Sequence, residues 1–348
     1  MIKIAFVGLG YWGPNLLRNL SALEGVEITT LCDFDLKRLE SLRQRYCQAA
    51  RVISDYRALA DDPQLDAVVI ATPIRTHYEL GSFLLSSGKH VFIEKPLART
   101  TAECQSLIDL AERYERMLMV GHVFEFNAAV QRIKQYIDEG ELGKLFYVYS
   151  QRVNLGRIQH DVNALWSFAP HDISIMNYWF GQEPVRVSAR GFSYLSPAVE
   201  DVVFMTLEYP NGVGAHLHLG WLDPRKVRLM SLVGSKKMLV YDDVSLDAKI
   251  QLYDKGVTNL HDFLESPETF AEFQFSIRAG DLVIPTLQFS EPLQSECRHF
   301  IDCIQHGRKP LTDGLDGLKV VKVLEAAEHS LKNGGMTIDL ERHQQVGV

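Results

Sequence analysis

The first segment that could carry chemistry lies close to the start of the sequence. Gly8, Gly10 and Gly13 form the pattern G-x-G-x-x-G directly after the apolar run Ile2–Val7. Between a strand and a helix, the first glycine permits a tight turn, the second lets the backbone approach a pyrophosphate, and the third lets helix and strand pack closely. The phosphates then lie on the free N–H groups of the helix N-terminus. The spacing predicts a dinucleotide site, although the pattern alone is weak because glycine turns are common.

An acidic residue stands where such a site needs one. Asp33 ends a second apolar run, Val26–Cys32, about 20 residues beyond the last glycine of the motif. A carboxylate there binds the adenosine ribose hydroxyls and repels a 2′-phosphate, so we expect NAD rather than NADP as the cofactor. The alternative is a solvated residue or a helix cap at Asp33. This alternative is the weaker interpretation because Asp35 already occupies a cap position.

A lysine stands at the end of a later strand-like run. Glu94-Lys95-Pro96 follows His90–Ile93, and ligands gather at the carboxyl ends of parallel strands. Because Lys95 lies between a buried strand and a proline-enforced turn, we expect a fixed ammonium group rather than a solvated one. Such a group can polarise a substrate oxygen and stabilise a developing alkoxide.

Strand-like runs alternate with helix-period segments over residues 1–121. The runs are Ile2–Val7, Val26–Cys32, Ala67–Ala71, His90–Ile93 and Met117–Val120. The helices between them include one capped by Asp35 and one opened by a capping box of Thr100 and Glu103. This alternation predicts the α/β class, with a doubly wound parallel sheet in a Rossmann domain over residues 1–121.

Residues 122–348 have a different texture. A helix over 128–137 precedes a β-rich stretch at Leu145–Val153, a helical segment near Ile173–Trp179, further strand-like runs and two C-terminal helices. Pro210-Asn211-Gly212 is typical of a tight turn between antiparallel strands. We therefore predict an α+β domain with a large, mainly antiparallel sheet that binds substrate. The open face of that sheet needs a cover, which favours a homodimer or homotetramer.

The composition argues against several classes of partner. The net charge of −8 argues against a nucleic-acid or anionic-membrane surface, and no apolar run approaches the roughly 20 residues of a membrane span. The sequence opens on a strand-like run, so we expect no signal peptide. Five scattered cysteines, an odd number, predict reduced thiols in a cytoplasmic protein and no zinc site. We expect no metal, and His216 and His218, which alternate on one strand, are interpreted as buried sheet histidines.

The motifs together resemble the Gfo/Idh/MocA family, named for glucose–fructose oxidoreductase, inositol dehydrogenase and rhizopine catabolism. The matching segments are Gly8–Gly13, Ala71-Thr72-Pro73 with His77, Glu94-Lys95-Pro96, Gly121–Asn127 and Ala169–Ile173. The resemblance implies this two-domain fold and NAD(P) binding. It also implies oxidation or reduction of a hydroxyl or ketone on a sugar or cyclitol.

The resemblance also implies roles for individual residues. The expected cofactor-binding residues are Gly8, Gly10, Tyr11, Trp12, Gly13, Asp33, Thr72, Pro73, His77, Glu94 and Lys95. The expected catalytic pair is Lys95 and His171, with His171 as the acid/base, a task suited to imidazole. Asp172 either orients that imidazole or caps the helix. Many members carry an acid where this chain has Ser167, so a Lys–His pair is expected rather than a Lys–Asp–His relay.

The overall pattern is most similar to the branch of 3-dehydrogenases that act on nucleotide-linked sugars. A pyrophosphate needs cations near the pocket mouth, for which Arg157 and Arg225 are candidates, and Asn127 and Asp172 are further candidates for substrate binding. The alternatives are a free-sugar or cyclitol dehydrogenase, and a non-catalytic NAD-sensing regulatory protein on the same fold. Retention of Lys95 and His171 speaks against the regulator, and Ser167 speaks weakly for it.

Overall fold

The computed structural model of the protein describes residues 1–156, 162–259, 275–288 and 290–340. The chain forms two compact units. The first comprises Met1–Asn127 with Ser290–Glu325, and the second comprises Ala128–Phe289 with Ala326–Val348. The sequence-based boundary after residue 121 assigned the whole remainder to one domain, whereas residues 290–325 pack within the first unit.

Six parallel strands form the sheet of the first unit. They are β1 (Ile2–Val7), β2 (Val26–Cys32), β3 (Arg51–Ile53), β4 (Ala67–Ile70), β5 (His90–Glu94) and β6 (Leu118–Gly121). Their order is β3-β2-β1-β4-β5-β6, with every neighbouring pair parallel. The doubly wound Rossmann sheet predicted from the sequence is therefore confirmed. The three-residue β3 was not predicted, because so short a run carries little pattern.

Helices connect these strands and cover the sheet. In chain order they are α1 (Gly13–Ser21), α2 (Leu36–Tyr46), α3 (His77–Ser86) and α4 (Thr101–Arg113). The predicted caps are present: the Asp35 carboxylate accepts a hydrogen bond from the Arg38 backbone N–H at 3.0 Å, and Thr100 Oγ1 accepts one from the Glu103 N–H at 3.1 Å. These bonds satisfy N–H groups that have no partner inside the helix.

The second unit is built on a nine-stranded sheet. Its strands are β7 (Leu145–Val153), β8 (Arg186–Phe192), β9 (Val202–Glu208), β10 (Gly214–Gly220), β11 (Val227–Gly234), β12 (Met238–Asp242), β13 (Ile250–Asn259), β14 (Phe275–Val283) and β15 (Ile338–Asp339). The order is β14-β13-β12-β11-β7-β10-β9-β8-β15. Only β7 and β10 pair in parallel within this order, so the predicted large, mainly antiparallel sheet is confirmed.

Two helices of the second unit precede its main run of strands. They are α5 (Ala128–Asp138) and α6 (Ala164–Phe180). The sequence predicted α6 only near residues 173–179, so its predicted start is wrong: the helix begins at Ala164. The Asn163 side chain caps the helix by accepting from the Trp166 N–H at 3.2 Å, and Pro170 lies in the helix interior. Proline is unfavourable there, which hides the continuity of the helix in the sequence.

Two further helices follow the strands, α7 (Pro292–His306) and α8 (Gly314–Lys332). Helix α7 packs in the apolar core of the first unit, where Leu293, Cys297 and Phe300 are buried. The Phe300 ring meets that of Phe92 on β5 edge-to-face, with centroids 5.6 Å apart. An amphipathic helix reveals its apolar face but not its partner, so the sequence did not assign α7 to the first unit.

The alternation on β10 corrects one prediction. Ala215, Leu217 and Leu219 are buried, so the residues between them face the other side of the sheet. His216 is exposed and His218 is half-buried. The interpretation of both as buried histidines is wrong.

Within the described residues, no helix is both long enough and apolar enough to cross a bilayer.

Replacing Phe300 tests the packing of α7. We expect Phe300→Ala to lower the free energy of unfolding of the first unit by about 3–5 kcal/mol, because it removes a fully buried ring and leaves a cavity. Phe34→Ala is the matched control, since Phe34 is 93% exposed and should change stability by no more than about 0.5 kcal/mol. Denaturant unfolding measures both. Similar small losses for both variants would contradict the packing described.

Candidate active site

The glycine-rich turn connects β1 to α1, as predicted. Gly8 has φ +88°, and a Cβ there would lie 2.5 Å from Thr72 Cγ2. A Cβ on Gly13 would lie 2.4 Å from the Gly8 carbonyl oxygen. A Cβ on Gly10 would meet nothing within 4 Å, so the backbone at Gly10 faces open space. Trp12 at the N-cap gives α1 no side-chain cap. This open turn before an uncapped helix N-terminus fits a dinucleotide pyrophosphate.

The Asp33 carboxylate is fixed against this turn. Its Oδ2 accepts a hydrogen bond from the Leu9 backbone N–H at 2.7 Å, and its Oδ1 accepts one from the Asp35 N–H at 3.1 Å. Each carboxylate oxygen has more than one acceptor position, so both oxygens can still accept from ribose hydroxyls. The geometry fits the role expected for Asp33 in NAD binding.

His77 holds two loops at the carboxyl edge of the sheet. The imidazole is buried, with Nδ1 2.9 Å from the Pro96 carbonyl oxygen and Nε2 2.8 Å from that of Thr72. Burial lowers the pKa of His77, against the effect of the two carbonyl groups, which favour the charged form. Both ring nitrogens are engaged, so His77 supports the loops that carry Thr72 and Pro96. Direct contact with the cofactor stays a prediction.

Glu94 and Lys95 end β5, at the edge where β4 and β6 also end. The Glu94 carboxylate accepts hydrogen bonds from the Lys95 backbone N–H at 3.2 Å and from the Trp12 side chain. Burial raises the pKa of Glu94 to about 7, although the Lys95 ammonium opposes the shift. Glu94 thus joins the glycine-rich turn to the end of β5. The Lys95 side chain is half-buried.

Glu94 packs closely on the next strand. A Cβ on Gly121 would lie 3.1 Å from the Glu94 carboxyl carbon, so only glycine leaves this carboxyl its full space. Glu296 on α7 is a second acid in the same unit. It is fully buried, and within the described part of the chain neither of its oxygens has a hydrogen-bond partner. Burial, and then the charge of Glu94, raise the pKa of Glu296 well above its ordinary range.

The remaining expected cofactor residues lie at the surface of the first unit. Tyr11 is 80% exposed and Trp12 is 37% exposed, while Pro73 is exposed and Thr72 is half-buried. The Thr76 hydroxyl donates to Thr72 Oγ1 at 2.7 Å, which orders this loop. Surface side chains beside an open turn are available to a ligand.

A buried polar cluster follows β6. His122 Nδ1 lies 2.6 Å from Asp316 Oδ2 and 3.8 Å from Glu125 Oε1, and the three ligand-type atoms lie within 4.8 Å of one another. The hydrogen bond between His122 and Asp316 accounts for this proximity without a metal. Asn127, the last residue before the second unit, is buried, and its contact with substrate stays a prediction.

In the second unit, His171 lies in the interior of α6 and is half-buried. The preceding helix turn carries Ser167, which is also half-buried. The interpretation of Asp172 as a helix cap is wrong, because α6 begins at Ala164. Both Asp172 oxygens have partners: Oδ2 accepts from Ser150 Oγ at 3.0 Å and Oδ1 from Arg152 Nε at 2.6 Å. Asp172 is fully buried and holds Arg152 beneath the helix.

Of the two arginines expected to bind a pyrophosphate, the structure describes one. Arg157 lies outside the described residues. Arg225 is exposed in the loop between β10 and β11, where its backbone N–H donates to Asp223 Oδ1 at 2.9 Å. Its guanidinium makes no hydrogen bond or ion pair with the residues described, so Arg225 is available to an anion at the surface.

Several polar residues of these sites were not predicted from the sequence. They are Arg152, Arg228, Glu296 and Asp316. Asp316 is 194 residues from its partner His122, and no local pattern links such positions. Arg152 lies on the covered side of β7 with Val148 and Ser150, where a charge needs a buried partner.

Two family models match this chain. The model of the oxidoreductase family with an NAD-binding Rossmann fold matches residues 2–122, and the model of the Gfo/Idh/MocA C-terminal domain matches residues 130–240. Together the two models match well over half of the chain.

Two relatives have names that state an activity. Inositol 2-dehydrogenase of Salmonella typhimurium strain LT2 is 27% identical over 218 residues, which are 61% of this chain; the match spans 65% of that protein's length. D-apiose dehydrogenase of Paraburkholderia graminis is 25% identical over 355 residues, covering 97% of this chain and 90% of that protein.

A solved structure shows the same fold. The UDP-N-acetylglucosamine 3-dehydrogenase GnnA from Acidithiobacillus ferrooxidans matches with a TM-score of 0.77 and 21% identity, over 95% of this chain and 98% of that one. At this level of identity the likeness concerns the fold alone.

The buried Glu296 generates a pH-dependent prediction. Because the pKa of Glu296 is raised in the folded state, the folded protein keeps a proton that the unfolded chain loses above about pH 4.3. The free energy of unfolding should therefore fall as pH rises from there, by at most about 1.4 kcal/mol per pH unit from this group. We expect Glu296→Gln to remove this component, so that the variant gains stability relative to the parent as pH increases.

Glu291→Gln, at the N-cap of the same helix, is the control. The hydrogen bond from Arg18 lowers the pKa of Glu291, so its contribution is present at neutral pH and is lost on acidification. That variant should lose stability relative to the parent as pH increases, the opposite direction. Denaturant unfolding between pH 4 and pH 8 measures both. Parallel curves for Glu296→Gln and the parent would show that Glu296 is ionised in the folded protein.

Proposed function

Because this chain belongs to the Gfo/Idh/MocA oxidoreductase family, we propose that it is an NAD-dependent oxidoreductase that acts on a CH–OH group of a sugar or cyclitol. The observation that carries the proposal is the glycine-rich turn before α1, closed by the Asp33 carboxylate on the Leu9 N–H. The names of inositol 2-dehydrogenase and D-apiose dehydrogenase support the substrate class.

The first unit binds the cofactor in this proposal. The backbone around Gly10 and the N-terminus of α1 hold the pyrophosphate, and Asp33 accepts from the adenosine ribose hydroxyls. Glu94 and Lys95 at the end of β5 lie at the nicotinamide ribose. Bound there, NAD would supply the acceptor for the hydride of the carbinol carbon.

Two side chains handle the proton and the charge on oxygen. A neutral His171 imidazole takes the hydroxyl proton through a ring nitrogen, and the Lys95 ammonium stabilises the negative charge that develops on the oxygen. Ser167 carries no charge, so the proton passes to His171 without an acid at that position. Asp172 accepts hydrogen bonds from Arg152 and Ser150, and we assign it the positioning of Arg152.

We propose further that the substrate is linked to a nucleotide. The resemblance to the nucleotide-sugar branch supports this, and so does the exposed Arg225 in a loop of the second unit, whose guanidinium has no partner among the described residues. A free sugar or cyclitol is the second candidate, and the inositol and apiose dehydrogenases among the relatives favour it. The five cysteines, none of which is in a disulfide, support a reducing, cytoplasmic compartment.

A homodimer or homotetramer through the sheet of the second unit is also part of the proposal. The side of the sheet that faces away from α6 carries aromatic side chains that are partly exposed. Tyr147 on β7, Phe192 on β8 and Phe204 on β9 are 51%, 43% and 38% exposed. A large, partly apolar open sheet face favours pairing with a second copy, which light scattering would measure.

Replacing Asp33 tests the cofactor preference. We expect Asp33→Ser to weaken NAD binding and to raise the affinity for NADP relative to NAD, because it removes the ribose acceptor and the charge that repels a 2′-phosphate. Asp35→Ser, which removes only the cap of α2, is the control. Fluorescence titration with NADH and NADPH measures the affinities. Tighter binding of NADPH than NADH by the parent protein would contradict the assignment.

Replacing the expected catalytic pair tests the chemistry. His171→Ala should lower kcat by about 10²- to 10⁴-fold, the usual loss for a positioned acid/base. Lys95→Ala should lower kcat with a smaller effect on NAD binding, because its charge matters most as the alkoxide develops. Ser167→Ala, the control, should change little.

The measurement is NADH absorbance with a panel of nucleotide sugars, free sugars and inositols. Oxidation by the parent should slow as acid protonates the imidazole, and His171→Ala should lose that pH dependence. An unchanged kcat in His171→Ala would rule out His171 as the base. Turnover of inositols with no turnover of nucleotide sugars would favour the second candidate.

A further inference from the structure

Two arginines face each other across neighbouring strands of the second unit. Arg152 on β7 and Arg228 on β11 are register partners in an antiparallel pair. Directly opposite side chains lie about 4.5–5.5 Å apart at Cβ, where like charges destabilise the sheet. Both side chains contact α6: Arg152 pairs with Asp172, and Arg228 lies over the Phe168 ring. Such a pair needs negative charge nearby.

Asp172 forms an ion pair with only one of the two. Its Oδ1 accepts from Arg152 Nε at 2.6 Å and lies 2.5 Å from Arg152 Nη2. Its Oδ2 is taken by Ser150. The Arg152–Asp172 pair is buried and close to neutral, so it leaves the charge of Arg228 uncompensated.

Arg228 is held by neutral groups alone within the described residues. Its Nη1 donates to the carbonyl oxygens of Val153 at 2.9 Å and Val227 at 2.7 Å, and its Nη2 donates to Asn154 Oδ1 at 2.5 Å. The guanidinium carbon lies 5.3 Å from the centre of the Phe168 ring. A guanidinium has five N–H donors, so two remain without a partner among these residues.

Asp243, the other acid whose charge acts on Arg228, already has partners of its own. Asp243 Oδ1 accepts from the Tyr241 hydroxyl at 3.0 Å and lies 3.6 Å from Lys249 Nζ. Burial, and then the charge of Arg152, lower the pKa of Arg228 to about 10, against the opposing effect of Asp172 and Asp243. The guanidinium still carries its full charge at neutral pH, and one positive charge is in excess.

This excess charge lies on the side of α6 that carries the expected acid/base. Phe168, on which Arg228 rests, is three residues before His171 on α6, and residues at that spacing share one side of a helix. Arg228 is half-buried, so part of it remains accessible. Its backbone acceptors and the aromatic ring fix the plane of the guanidinium before any ligand arrives.

We propose that Arg228 binds an anionic group, a carboxylate or a phosphate, of the same molecule whose hydroxyl His171 deprotonates. The proposal rests on the proposed function and narrows it to acidic sugars: uronic acids, sugar phosphates or nucleotide-linked sugars. A planar guanidinium with two remaining donors matches the paired oxygens of these groups.

The test compares substrates that differ in one charged group. D-glucuronate is paired with D-glucose, which distinguishes a carboxylate, and UDP-N-acetylglucosamine with N-acetylglucosamine, which distinguishes phosphates. Arg228→Gln should lower kcat/KM for the anionic member of a pair by about 10- to 100-fold, mainly through KM, from the loss of a charge-assisted hydrogen bond. The neutral member should change less than about twofold. Arg228→Lys, which keeps the charge, should lie between the parent and Arg228→Gln.

Arg132→Gln is the matched control. Arg132 is also a half-buried arginine of the second unit, with its guanidinium over the Tyr136 ring at 4.3 Å, and this variant should leave both members of each pair unchanged. Melting temperatures of all variants reveal a loss of folding. Equal losses for the anionic and neutral members would show that Arg228 only joins β7 to β11, and would overturn the proposal.

A binding measurement separates this proposal from the proposed function. Calorimetric titration of inorganic phosphate and of D-glucuronate into the protein with NADH should show binding to the parent and a loss of at least about tenfold in Arg228→Gln. If no sugar in either pair is oxidised, the proposed function fails while this titration still decides the role of Arg228. Binding that is unchanged in Arg228→Gln, or absent from the parent, would overturn the proposal even if neutral sugars are oxidised.

Discussion

The 2.7 Å hydrogen bond from the Leu9 backbone N–H to the Asp33 carboxylate joins the two strand ends on which the cofactor site depends. The turn has little freedom, because Gly8 and Gly13 have no room for a Cβ. His77 acts similarly at the next two strands by bonding the carbonyl groups of Thr72 and Pro96. The polar side chains at this edge of the sheet thus hold the backbone of the expected cofactor site in place.

Two buried acids, Asp172 and Glu296, differ in whether a partner compensates the charge of the carboxylate. In the second unit, the buried Asp172 has a guanidinium and a hydroxyl as partners and forms an ion pair. In the first unit, Glu296 has no hydrogen-bond partner among the described residues, and its burial raises its pKa. Among the cations of the second unit, Arg228 is half-buried and bonded only to neutral groups within the described residues, and two of its five N–H donors have no partner there.

The sequence predicted the first unit well because each of its features is local. The glycine spacing, Asp33, the caps of α2 and α4, and five of the six parallel strands each depend on residues that are close together in the chain. The start of α6 was missed because Pro170 interrupts its pattern. Contacts over long separations were also missed, such as His122 with Asp316 and the packing of α7 on the first sheet. Burial on each side of β10 was misjudged, since alternation alone does not say which side is covered.

Isotope transfer tests the proposed passage of a hydride from a sugar or cyclitol carbon to NAD. The protein is incubated with NAD and with UDP-N-acetylglucosamine, D-glucuronate or myo-inositol, each deuterated at every ring carbon, and the nicotinamide product is analysed by mass spectrometry. We expect NADH that carries one deuterium from at least one of these compounds, formed about 10²- to 10⁴-fold more slowly by His171→Ala at the same protein concentration. Tight NAD binding without deuterium transfer from any compound would contradict the proposed reaction and favour a protein that senses NAD without catalysis.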